Sequence, residues 1–154
     1  MIKKCSLAIL FIFAAAASSY AQTAKDESPE QRRERLRIAV QAICPVSGES
    51  LINHAKPVKM TNPKTKEVLY VCCEACLKSE PDAKHVEQIR TNFAKAQGHC
   101  LVMAENEISV ESKHGIVNGQ FVFVCCPPCV KKMTADPAKF LAMLDDLYEA
   151  SLKK

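Results

Sequence analysis

Apolar and polar positions along this chain fall into a pattern that occurs twice. Near the middle, the apolar-rich segments "PVKMT" and "EVLYVC" flank the polar "NPKTK", which predicts a β-hairpin with a long loop. Farther on, "HGIV" and "QFVFVC" flank Asn118-Gly119, a two-residue signal that predicts a tight hairpin. Each hairpin leads toward a stretch with helical periodicity. The first starts at Ser79-Glu80-Pro81-Asp82, stops at Gly98 and places Val86, Ile89 and Phe93 on one face. The second starts at Asp136-Pro137 and runs toward Leu152, with Phe140, Leu141, Leu144, Leu147 and Tyr148 as an apolar stripe expected to face the core. A third helix precedes both units. Ser28 suits its N-cap, Pro29 its first position and Glu30 its first turn. Running from Pro29 to about Ala42, it places Leu36, Val40 and Ile43 near one face. Its early part, "EQRRERLR", reads as a solvated, charge-paired surface. The pattern predicts an α+β protein, an N-terminal helix followed by two small repeats.

Cysteines mark the repeat. "CPVSGESLI" (44–52) aligns without a gap with "CLVMAENEI" (100–108), matching Cys, Val, Glu and Ile. Each hairpin then ends in Cys-Cys-x-x-Cys, within "YVCCEAC" and "FVCCPPC". The order in each unit is cysteine loop, hairpin, CCxxC, helix. The expected divisions are 22–43 for a polar linker and helix, 44–98 for the first unit and 99–154 for the second. Neither unit has enough apolar residues for a good core of its own. The two are expected to pack together, or to rely on a cross-link or a metal. The second loop lacks counterparts of Pro45 and Gly48, so Cys100 is expected to be held less firmly than Cys44.

Residues 1–21 carry the marks of an export leader. Lys3 and Lys4 precede an apolar run from Leu7 to Ala17, and Ser19-Tyr20-Ala21 places small residues ahead of Gln22. The run is shorter than the ~20 residues a membrane span needs. Cleavage after Ala21 and a periplasmic or secreted location are expected, with no stable membrane span afterwards. The formal charge of +4 is scattered among acidic residues, and aromatic residues make up only 6% of the chain. That composition provides no stacking platform or basic groove for nucleic acid.

Beyond the leader stand eight cysteines: Cys44, Cys72, Cys73, Cys76, Cys100, Cys125, Cys126 and Cys129. An even number in an exported chain raises the alternative of a disulfide-stapled interaction module. The clustering argues against it. Adjacent cysteines bridge each other only under strain, and Cys-x-x-Cys closes a loop too short to constrain much of the unfolded chain. A second alternative is a thiol-disulfide oxidoreductase, because Cys73-Glu74-Ala75-Cys76 and Cys126-Pro127-Pro128-Cys129 both precede helices. The short hairpins, however, provide no βαβ framework for one. No paired carboxylates, phosphate loop or Ser/His/Asp arrangement suggests another enzyme.

Metal binding uses the whole pattern. A cysteine at the strand end and the last cysteine of the motif, in the first turn of a helix, point at one centre. Backbone amides at the helix start favour thiolate there, and the loop cysteine folds over as a third ligand. Side chains alternate along an extended segment, so one of Cys72 and Cys73, and one of Cys125 and Cys126, faces the centre. Thiolate-rich sites suit Cu(I) or Zn(II), here one ion per repeat. Three sulfurs satisfy Cu(I). Zn(II) takes a fourth ligand, for which His54, His114, the extra cysteine or water are candidates. Met60, Met103, Met133 and Met143 form no metal-binding motif and read as core or surface filler.

A lone cysteine, a hairpin, and Cys-x-x-x-Cys leading toward a helix with a "DP-x-K-F/Y" tail resembles the TRASH and YHS metal-binding domains. The matching residues are Cys44, Cys72 and Cys76, then Cys100, Cys125 and Cys129, with "ADPAKFL" matching the tail and "EPDAKHV" matching it loosely. The resemblance covers nearly all of 44–144, but neither the leader nor the first helix. The change from "CPVSG" to "CLVMA" departs from it. It implies treble-clef-like repeats and a role in heavy-metal sensing, trafficking or resistance. A metal transporter or other metal-handling protein would be the partner. The expectation is an exported, non-enzymatic protein that holds copper, zinc or a similar soft ion through cysteine.

Overall fold

Four α-helices and two antiparallel hairpins make up residues 27–154, the part described by the structure, a computed structural model. The leader read over 1–21, the first residues of the linker and Cys5 lie outside the described residues. In chain order the elements are α1 (Pro29–Gln41), β1 (Val58–Thr61), β2 (Val68–Val71), α2 (Ala83–Gln97), β3 (Lys113–Val117), β4 (Gln120–Val124), α3 (Pro127–Ala135) and α4 (Pro137–Leu152). Short 3₁₀ helices cover Leu51–Asn53 and Glu74–Lys78. Among the described residues no helix is long and apolar enough to cross a membrane.

The hairpins form where the turn chemistry places them. β1 and β2 pair from Val58↔Val71 to Thr61↔Val68, and β3 and β4 pair from Lys113↔Val124 to Val117↔Gln120. Asn118 and Gly119 form the two-residue turn with φ of 47° and 79°, the sign a primed turn requires. In the longer first loop, the Asn62 side chain accepts from the N–H groups of Lys64 and Thr65. Every residue of β2 and β4 is buried, so the strands that end in CCxxC are the inner ones.

Helix starts also follow local signals. Ser28 and Gln31 form a capping box on α1, Asp82 caps α2, and Asp136 caps α4. One helix departs from expectation. The chain is helical from Pro127, immediately after Cys126, and Asp136 divides α3 from α4. Two prolines did not prevent this because they occupy the first turn, where an N–H has no intrahelical partner. The corresponding place in the first unit holds only the 3₁₀ helix Glu74–Lys78.

The two units share one core, the first of the alternatives that their apolar content left open. Leu36 and Val40 of α1, Ile89 and Phe93 of α2, Phe121 and Phe123 of β4, and Leu141, Leu144 and Tyr148 of α4 belong to a single buried cluster. A smaller cluster gathers Leu51, Val68, Tyr70 and Val71 around Cys44, Cys72 and Cys76.

The charged face expected on α1 needs correction. Arg37 is fully buried. It donates to the Val68 carbonyl at 3.0 Å and to Gln120 Oε1, and it lies 4.7 Å over the Phe93 ring. Val68 N–H in turn donates to the Gly119 carbonyl at 2.8 Å, so Arg37 sits where the two hairpins meet. Two other arginines of that segment pair with α4, Arg32 with Asp146 and Glu149 and Arg33 with Asp145, while the exposed Arg35 pairs with Glu27 as a surface residue. Arg32 and Arg33 stand at a helix–helix seam rather than on open surface, because α1 packs on α4.

The structural repeat reaches back beyond Cys44. α1 and α2 both end in glutamine and both release the chain through a residue of positive φ, Ala42 (65°, ψ −37°) and Gly98 (70°, ψ −40°). Each then makes an isolated antiparallel bridge, Ile43↔Ser50 and His99↔Glu107. Helix α2 thus closes the first unit and opens the second. The bridges also correct the gapless alignment. Cys44 N–H bonds the Glu49 carbonyl while Cys100 N–H bonds that of Asn106, so the second loop holds one more residue. Leu51 matches Ile108, their N–H groups bonding the Ala42 and Gly98 carbonyls.

Glycine adopts this positive-φ conformation freely, and alanine only with strain. Ala42→Gly should therefore raise the unfolding free energy by about 1 kcal/mol. Urea denaturation checks this, and a loss of stability would contradict the strain at Ala42.

Candidate metal centres

Each unit assembles its sulfurs from three directions. A tight loop presents Cys44, the end of β2 presents Cys72, and the following 3₁₀ helix presents Cys76. The second unit uses Cys100, the end of β4 for Cys125, and the first turn of α3 for Cys129. The Sγ atoms of Cys44, Cys72 and Cys76 lie within 4.8 Å of one another, as do those of Cys100, Cys125 and Cys129. Cys72 and Cys76 are 3.6 Å apart, and Cys125 and Cys129 are 3.7 Å apart. Three ligands about 2.3 Å from one ion are separated by about 4 Å when trigonal, so both triads match metal spacing.

The choice within each adjacent pair is therefore visible. Cys72 and Cys125 belong to the converging triads. Cys73 is exposed where Cys72 is buried, whereas Cys125 and Cys126 are both half-buried and only Cys125 converges with Cys100. Cys73 and Cys126 still lie near the rim, with Cys73 3.8 Å from Cys72 and Cys76, and Cys126 3.1 Å from Cys129. All eight cysteines of the described residues are free thiols.

A glutamine amide sets the register between loop and strand. Gln41 Nε2 donates to the Ile43 carbonyl at 3.0 Å and the Tyr70 carbonyl at 2.6 Å, while its Oε1 accepts from Tyr70 N–H at 2.9 Å. Gln97 repeats this with His99 at 3.1 Å and Phe123 at 2.8 and 3.0 Å. Each amide occupies the place of a third strand beside β2 or β4. It ties the residue just before the loop cysteine to the residue two before the strand cysteine. The sequence reading missed both glutamines. The signal was there in Gln41-Ala42-Ile43-Cys44 and Gln97-Gly98-His99-Cys100, which share the spacing.

The loops reach a common result by different routes. In the first, Gly48 has φ of 73° and lies so close to His85 that an added Cβ would come within 2.6 Å of Nε2. The Pro45 carbonyl accepts from Asp82 N–H at the start of α2. The second loop uses its additional residue instead, closed by the Asn106 N–H bond to the Met103 carbonyl. Cys100 is as fully buried as Cys44, so the missing proline and glycine do not leave it exposed.

Electrostatics favour the thiolate at Cys44 and at the rim cysteines, and resist it at Cys76 and Cys129. Burial pushes the Cys44 thiol up, but hydrogen bonds from the Ser47 N–H and hydroxyl and from the Cys72 and Val46 N–H groups outweigh it and bring it down to about 7. Burial, reinforced by its neighbouring thiols, pushes Cys76 up to about 12. Cys129 is raised for the same two reasons. The exposed Cys73 is lowered, chiefly by the Cys76 N–H, and Cys126 is lowered by the Cys129 thiol and N–H. A buried pocket in which a thiolate is costly, first through burial and then through its neighbouring thiols, favours a cation at its centre.

Of the histidine candidates, His54 comes near the first triad. Its ring nitrogen, a Glu49 carboxylate oxygen and Cys72 Sγ lie within 4.8 Å of one another. His114 is exposed on β3 with its ring 4.7 Å from that of Phe121 and joins no converging group among the described residues. Comparisons of the chain with family models, with curated proteins and with solved structures found no match in any of the three.

Gln97→Ala would strand the Phe123 N–H and carbonyl and the His99 carbonyl inside the protein. A loss of about 3 kcal/mol in unfolding free energy is expected from such unpaired groups. Chemical denaturation tests it, and a cost near that of an exposed substitution would contradict the clamp.

Proposed function

We propose that this chain is a non-enzymatic carrier of soft metal ions, holding one Cu(I) or Zn(II) per repeat through cysteine thiolates. The observation that carries the reading is the double triad. Cys44, Cys72 and Cys76 in one unit and Cys100, Cys125 and Cys129 in the other converge at metal-ligand spacing from equivalent elements. A single cluster of thiols has other uses. Two equivalent ones, each built by a loop brought over a hairpin end, favour a cargo of one ion per unit. Three sulfurs satisfy Cu(I) directly, and His54 beside Cys72 suits Zn(II) in the first site.

The finer reading is that each repeat is a treble-clef-like module of the TRASH and YHS kind. The lone loop cysteine, the hairpin and the helix beyond the motif support it. With the leader-like segment over 1–21, this makes trafficking, buffering or resistance outside the cytoplasm the proposed role, with a metal transporter or similar protein receiving the ion.

One observation favours a second reading, thiol-disulfide exchange. Cys126 is the N-cap of α3, its thiol is lowered, and its Sγ lies 3.1 Å from that of Cys129. That chemistry leaves Cys100 and Cys125 without a role. It expects turnover of a small disulfide substrate that disappears in Cys126→Ser, whereas the metal reading expects no turnover.

Anaerobic titration of the reduced protein should show uptake of about two equivalents of Cu(I) or Zn(II), since each site binds once its thiols ionise. Cys76→Ser should remove about one equivalent while Cys73→Ser keeps both, because Cys76 lies inside the triad and Cys73 on its rim. Uptake unchanged in Cys76→Ser would contradict the ligand assignment.

A further inference from the structure

The third residue after the loop cysteine touches the strand cysteine in both units, and its chemistry differs. In the first unit it is Ser47, whose Oγ lies 3.5 Å from Cys72 Sγ. In the second it is Met103, whose Sδ lies 3.8 Å from Cys125 Sγ. Four sulfurs held tetrahedrally about 2.3 Å from one ion lie about 3.8 Å apart. Met103 therefore stands from Cys125 at the distance of a fourth sulfur ligand, and Cys129 stands from Cys125 at 3.7 Å. Met103 is also 40% exposed, so apolar burial does not account for its place.

Surroundings deepen the contrast. Glu49 and His54 bring oxygen and nitrogen donors to Cys72 in the first unit. No acidic or histidine side chain joins the second triad among the described residues. A thioether is neutral and polarisable. It binds Cu(I) well and contributes little to Zn(II), whereas imidazole and carboxylate serve Zn(II).

We propose that Met103 is a metal ligand of the second site and makes that site selective for Cu(I), while the first site, with Ser47 in the same position, accepts Zn(II). This rests on the metal-carrier reading above. One protein would then carry two ions of different softness, sorted by Met103 in one loop and by Ser47, Glu49 and His54 in the other.

The test isolates each site in the full-length chain. Cys72→Ser with Cys76→Ser leaves the second site, and Cys125→Ser with Cys129→Ser leaves the first. Cu(I) and Zn(II) affinities are measured anaerobically by competition with chromophoric chelators. In the second-site background, Met103→Leu should weaken Cu(I) by about tenfold and leave Zn(II) within about twofold. In the first-site background, Ser47→Met should shift the ratio toward Cu(I), which keeps the proposal open to refutation if the Met103 variant fails to fold. Equal loss of both metals in Met103→Leu, or an unchanged ratio in both variants, would overturn the proposal while leaving the carrier reading intact. Failure of both parent backgrounds to bind either metal would instead overturn the carrier reading, and this proposal with it.

Discussion

The arrangement of each sulfur pocket depends on one buried amide. Gln41 and Gln97 satisfy the outward N–H and C=O of the inner strand, which would otherwise lie unpaired inside the protein. The same NH₂ group holds the carbonyl that precedes the loop cysteine. Two chain segments far apart in sequence are thereby brought into a fixed register. Neither hairpin is long enough to be stable alone, since two-stranded ribbons are marginal in water. The amide supplies a surrogate third strand, and the helix that carries it supplies the apolar cover.

That device explains why the repeats form one body. Helix α2 ends the first unit and provides Gln97 to the second. Phe93 on the same helix stacks near Phe121 and Tyr148, with ring centroids 6.5 and 6.1 Å away. Arg37 joins the hairpins at a buried junction, and Arg90 lies 3.5 Å over Phe121 while pairing with Glu67. The pockets stand at the hairpin ends: Cys100 and Cys129 belong to this shared core, and Cys44, Cys72 and Cys76 to the smaller cluster. The low cost of deprotonating Cys44, against the resistance of Cys76 that comes chiefly from burial, means that the pocket gains from an ion that stabilises the buried thiolate.

What was legible in the sequence was local. Asn118-Gly119 announces its hairpin because the turn needs positive φ at both positions, and Ser28, Asp82 and Asp136 announce helix starts because a cap bonds residues two or three positions on. The spacing of Cys44, Cys72 and Cys76, and its echo, conveyed the triads. What was missed depends on distant partners. Arg37 resembles its exposed neighbours in sequence, and its burial depends on Gln120, 83 residues away. The glutamines look like ordinary helix-end residues until Tyr70 and Phe123 arrive beside them. The helical turn around Cys129 was expected, but not that α3 continues to Ala135 and is divided from α4 by Asp136. Met103 looked like filler because its contact with Cys125 requires a folded loop.

The central claim is that a loop cysteine joins the first and last cysteines of CCxxC around one ion. X-ray absorption at the metal edge of the reduced, Zn(II)-loaded protein tests it most directly. The account predicts at least three sulfur neighbours per ion at about 2.3 Å, with no metal–metal scattering. Two sulfurs per ion would mean that the loop cysteines stand apart, and a metal–metal distance would mean a shared cluster. Either result would contradict the account.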